Sequence, residues 1–99
     1  MSYWGYHLIL DCSDCNLEQI SNKENIHNFT KALINNIDMI AHGEPVIEYF
    51  AEHDPSKAGY SLMQLIVTSS ITAHFVDRDR LAFVDIFSSF RQQARYALA

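Results

Sequence analysis

Cysteine, proline and glycine are scarce in this 99-residue chain, at two, two and three residues respectively. Two cysteines cannot build the multi-bridge framework with which small secreted domains compensate for a thin core. So few glycines and prolines exclude collagen-like, linker-rich and low-complexity chains. Positive charge is short as well. Seven Lys and Arg against twelve Asp and Glu leave a formal net charge of −5, with no basic run. Nucleic-acid affinity rests on clustered cations that displace counterions from phosphate, so no nucleic-acid partner is expected. No stretch approaches the roughly 20 apolar residues that span a bilayer. The N-terminus lacks a basic segment followed by an apolar run. The expectation is a cytoplasmic protein with no membrane partner.

What is present describes a folded domain. A 48% share of hydrophobic residues is enough for a core, and the length allows one, so residues 1–99 are read as a single domain. Residues 6–11 alternate loosely as a strand. Ser21-Asn-Lys-Glu24 reads as a capping box that opens a helix over 22–41. Its apolar stripe is Ile26, Phe29, Leu33, Ile37 and Ile40, and Gly43 is its stop. Further strands are predicted over 45–50, 60–68, 70–76 and 81–87, with a polar loop at 53–59 and a charged turn at 77–80. Ser88 or Ser89 caps a last helix that turns Phe90, Ala94 and Leu98 to the sheet. The order β-α-β-β-β-β-α predicts an α+β two-layer sandwich, a mainly antiparallel sheet with two helices on one face. Residues 60–68 and 81–87 are apolar at both parities, so the second face needs a cover too. A homodimer is expected, sheet against sheet or edge against edge.

Several residues invite chemistry. Cys12 and Cys15 form C-S-D-C, a spacing shared by metal half-sites and redox pairs. Without a second pair they read as turn cysteines, and no metal is expected. His7, His27, His42 and His53 share no spacing and read as surface or strand residues. Asp85 interrupts an apolar strand. A buried carboxylate costs several kcal/mol unless paired, so it is expected to pair with His74 or an arginine, or to face the dimer cleft.

Three segments carry a resemblance. Gly5-Tyr-His7-Leu-Ile-Leu-Asp11 follows G-x-H-L-I-x-D. Gly59-Tyr-Ser61 lies eight residues ahead of Ser69 in Thr68-Ser69-Ser70-Ile-Thr-Ala-His74. Val84-Asp85-Ile-Phe-Ser-Ser89 follows V-D-x-[FY]-[TS]-C. In this order and spacing the chain resembles the prokaryotic S-adenosylmethionine decarboxylases, over roughly residues 5–90. That family cuts itself before a serine and converts it to a pyruvoyl group. The resemblance implies that Ser69 attacks the carbonyl of Thr68, replacing the amide by an ester. It also implies that His74 is the base that eliminates the ester, and that Ser61 is the second processing residue. The cofactor is then a pyruvoyl group derived from Ser69 if the chain is processed, and otherwise none. Phe50, Val76, Arg78 and Asp85 fall at positions implied to bind substrate, an amine or nucleoside of the polyamine (spermidine) pathway.

The departures bear on different steps. Thr68 replaces the family's Glu before the cut, and Ser70 the His after it. Val76 and Arg78 stand where the family has an adenine-stacking aromatic and a ribose-binding Glu. An arginine offers donors where an acceptor is wanted. Ser89 replaces the Cys that returns a proton to the substrate carbon, and a hydroxyl is a far weaker acid than a thiol. The reading that follows is a divergent relative, unprocessed and weakly active or inactive, that keeps a small-molecule pocket. The alternative is a working decarboxylase self-cleaved between Thr68 and Ser69.

Overall fold

Strands of alternating pattern joined by tight turns can pair only antiparallel, and they do. A computed structural model of the chain describes residues 4–37 and 39–89. Its elements are β1 (Tyr6–Cys12), α1 (Leu17–Ile20), α2 (Lys23–Asn36), β2 (Val46–Phe50), β3 (Gly59–Ile66), β4 (Ser69–Val76) and β5 (Leu81–Ser88). One antiparallel sheet runs in the order β1-β5-β4-β3-β2, a four-strand meander with β1 returning beside its last member. Both helices cover the same face, giving the expected two-layer α+β sandwich.

The pleat divides each strand by parity. Leu62, Gln64 and Ile66 of β3 face the helices with Ile71, Ala73 and Phe75 of β4 and Ala82, Val84 and Ile86 of β5, and all are buried. Ile20, Ile26 and Ile34 close the core from the helix side. Gln64 is the polar exception, 1% exposed. Its amide donates to the carbonyl oxygens of Leu65 at 2.7 Å and Gly43 at 3.2 Å. A core glutamine thereby ties the α2–β2 connection to the sheet.

The helical region differs from its sequence pattern. Residues 17–20 are a separate turn of helix, capped by the Asn16 side chain, which accepts from the Gln19 N–H. Ser21 is not the cap of the long helix; its hydroxyl donates to the Leu17 carbonyl. The N-cap is Asn22, whose Oδ1 accepts from the Asn25 N–H at 3.1 Å. The helix ends at Asn36, short of residue 41. The reason is competition from the sheet. The Val67 N–H donates to Ile40 O, the His42 N–H donates to Leu65 O, and Ala41 bridges Ile66. Gly43 (φ 74°) therefore stands in the connection and is not the helix stop. Phe29, read as part of the buried stripe, is half exposed and lines a groove of about 520 Å³ with Leu10, Ile26, Leu33 and Val84. The helix predicted after Ser89 lies outside the described residues.

Gly59 explains the first glycine of its motif. It pairs with Phe50, and a Cβ there would overlap the backbone carbonyl oxygen of Phe75. Overpacking of this kind costs about 1–3 kcal/mol or more. Gly59→Ala should therefore lower the urea midpoint with the unfolding slope unchanged. An unaltered midpoint would show that β3 has room at this position.

Candidate active site

Register decides which of the candidate side chains can meet. Ser61 and His74 are direct cross-strand partners on β3 and β4, on the face turned away from the helices. Ser61 Oγ and His74 Nδ1 share a hydrogen bond of 2.9 Å. A hydroxyl and an imidazole in contact can pass a proton between them, the basic requirement of acid–base chemistry.

Ser69 lies elsewhere. It opens β4 with the parity of Ile71, Ala73 and Phe75 and is 8% exposed, so its side chain belongs to the helix-side layer. His74 is five residues on, on the opposite face and roughly 16 Å further along the strand at about 3.3 Å per residue. The structure thus does not bring Ser69 to His74 or Ser61 within one chain. Its companions are Ser89, whose backbone N–H donates to Ser69 Oγ at 3.2 Å, and Thr68. Thr68 Oγ1 lies 2.7 Å from Ser89 Oγ. Thr68 is also the second residue of the Val67-Thr68 turn, with φ 62°. A β-branched residue in the left-handed region is strained by about 1–3 kcal/mol. It contributes the carbonyl of the bond that the resemblance marks for cutting. Ser70 is on the open face, opposite Phe87.

The positions expected to bind substrate spread along that open face. Phe50 is 57% exposed at the end of β2, and Val76 closes β4. Arg78 sits exposed in the β4–β5 turn. Asp85 is half exposed on the open face, and of its expected partners it meets neither His74 nor an arginine. Its partner is His7, diagonal to it across β1 and β5, with Nδ1 3.6 Å from Oδ1. Asp85 lies on the open face, yet its Oδ1 is shut off from solvent and has no hydrogen-bond partner among the described residues. The cysteines are free thiols, Cys12 exposed at the end of β1 and Cys15 packed against the core. Burial pushes the Cys15 thiol upward, with Cys12 and Asp14 adding to the shift. Among the described residues no three His, Cys, Asp or Glu side chains converge as a metal site.

Two features had little sequence signal. Trp4 stacks on Phe87 with ring centroids 5.8 Å apart, and His7 leans on the same ring at 4.8 Å. Gly5 permits this, because a Cβ there would overlap the Phe87 ring. At the other end of the sheet, on the helix side, Tyr49 donates its hydroxyl to Asp77 Oδ2 at 3.1 Å, pinning β2 to the turn that carries Arg78.

The fold places the chain in a class. It superposes on the crystal structure of the adenosylmethionine decarboxylase from Aquifex aeolicus VF5 with a TM-score of 0.81. That match spans 96% of this chain and 74% of the other at 18% identity, so the shared property is the two-layer sandwich itself. Sequence narrows the class. The chain is 34% identical over 88 residues to the S-adenosylmethionine decarboxylase proenzyme of Clostridium botulinum strain Hall, covering 89% of this chain and 71% of that protein. The proenzyme of strain Loch Maree is 32% identical over the same length. The sequence model of the S-adenosylmethionine decarboxylase family matches residues 6–98. The chain belongs to that family. Among the described residues, no helix is long and apolar enough to cross a membrane.

The Tyr49–Asp77 bond makes an alkaline prediction. Donation to the carboxylate holds the Tyr49 hydroxyl above its ordinary value, with burial and the Asp77 charge adding to the effect. A raised folded value means the bond stabilises fully below the unfolded tyrosine value near 10 and is lost as pH rises through the folded one. Tyr49→Phe should remove this contribution at neutral pH, so that wild type and variant converge in urea midpoint under strong alkali. A gap between them that stays constant with pH would rule the bond out as its source.

Proposed function

We propose that the protein is a pyruvoyl-type decarboxylase of polyamine metabolism, acting in the cytoplasm on S-adenosylmethionine or a related amino acid, and self-cleaved between Thr68 and Ser69. The observation that carries this reading is the pairing of the candidate groups. Ser61 with His74, and Ser69 with Ser89, form two hydrogen-bonded pairs, although three residues around them have changed type.

The Ser69 environment fits a group made from that serine. Its Oγ already accepts from a backbone N–H, a donor suited equally to a carbonyl oxygen. Such a group supplies an electrophilic carbonyl that binds a substrate amine and accepts electrons from the departing carboxylate. The chain's own residues do the rest. His74, in contact with Ser61, holds and moves the proton of the elimination step. Phe50 and Val76 offer apolar surface, and Asp85 a carboxylate for a substrate amine. Arg78 in place of an acceptor argues for a substrate whose ribose is bound differently or is lacking.

Since one chain separates Ser69 from His74, the elimination step requires the start of β4 to swing residue 69 to the open face, which itself needs a cover. Ile9, Val46, Phe50, Met63, Leu65 and Phe83 are all on the open face and 41–69% exposed, an apolar surface larger than isolated soluble domains leave uncovered. We infer a homodimer with these faces opposed, with the Ser61–His74 pair of each copy in its seam. Denaturing mass spectrometry of the purified protein should show fragments 1–68 and 69–99, and Ser69→Ala should stay whole. Sedimentation should return a dimer, which Met63→Lys dissociates with loss of cleavage.

A second reading, a non-processing relative with a retained pocket, is favoured by the same separation of Ser69 from His74 and by the replacement of the family's acidic thiol with Ser89. A single species of 11.4 kDa that persists through long incubation would select it. Thermal-shift responses to adenosylmethionine, its decarboxylated form, putrescine and ornithine would then identify the ligand.

A further inference from the structure

Two of the positions at which the chain departs from its family touch each other. Thr68 and Ser89 bring their hydroxyl oxygens to 2.7 Å. Thr68 Oγ1 donates to the Val67 carbonyl oxygen at 2.6 Å. A hydroxyl has one proton to give, so Ser89 is the donor in the shared bond. The Ser89 backbone N–H meanwhile donates to Ser69 Oγ. One residue, just beyond β5, therefore grips both residues that flank a single peptide bond. The first of them is held with φ 62°, a conformation that sterics penalise for a β-branched side chain.

We propose that Ser89 is a positioning residue for cutting of the Thr68–Ser69 bond, and that it forms with Thr68 a hydroxyl pair that replaces the family's Cys and Glu. In the intact chain its O–H is engaged by Thr68, so before the cut Ser89 serves to orient the bond that breaks. The inference rests on the processing reading above and names the residues that govern its first step. In that step the Ser69 Oγ–C bond to the Thr68 carbonyl carbon forms and the C–N bond breaks. The hydroxyl proton passes to the freed nitrogen of residue 69. The change is an isomerisation and needs no co-reactant. Ser69 must hold its Oγ against the carbonyl, and the Ser89 grip restrains both groups at once. The Ser61–His74 pair, on the other face, acts only in the later elimination.

Hydroxylamine separates the two steps, because it cleaves an ester at once and an ordinary amide hardly at all. Hydroxylamine-induced cleavage of the full-length chain, followed by denaturing mass spectrometry, reads the first step alone. Thr68→Val and Ser89→Ala should each slow it tenfold or more, and the double variant should be no slower than the worse single, since both remove the same bond. Thr68→Ser, which restores the hydroxyl, should recover most of the rate, while a Thr68 role in packing alone would leave it slow. Melting curves of each variant confirm that it is folded. Single variants that cleave at the wild-type rate, or losses that add in the double variant, overturn the inference while leaving processing intact. Wild-type protein from which hydroxylamine and prolonged incubation release no fragment overturns the processing reading and this inference with it.

Discussion

The two-residue period of β4 governs the functional geometry. Ser69 and His74 are an odd number of residues apart, so in an unbroken strand they cannot share a face. The hairpin with β3 then pairs His74 with Ser61, and Ser69 with Ile66. One group stands on the open face and the other at the strand's opposite end, in the helix-side layer. No side-chain rotation closes that separation. Any chemistry that uses both residues has to move the start of β4, the end of the strand that carries Ser69.

That constraint also orders the substitutions. Positions 76 and 78 fall at one end of the sheet, near the Tyr49–Asp77 bond. Positions 68 and 89 fall together at the other, where each hydroxyl has the other as partner. Side-chain bonds of this kind contribute about 0.5–1.5 kcal/mol each, enough to orient a turn although not to hold a fold.

Much of the architecture was legible in the sequence. Five short apolar segments separated by polar or charged turns leave few topologies open, and the observed meander is the one that connections too short to cross over allow. The helix was legible in kind but not in extent. Ile37 and Ile40 continue the helical stripe, yet residues 40–42 are claimed by hydrogen bonds from β3 and its turn, a tertiary competition that local periodicity cannot register. The surroundings of Asp85 lay beyond the local pattern for a related reason. Alternation tells which residues share a face, while whether that face is covered depends on what lies beyond the chain.

The sequence by itself determined the family, the succession of elements along the chain and the candidate residues, because those reside in residue types and spacings that survive without coordinates. Tertiary structure alone decided which candidates touch. The contacts of Ser61 with His74, of Ser89 with Thr68 and Ser69, and of His7 with Asp85 depend on strand register. A one-residue slip of register would undo them without altering a letter of the sequence.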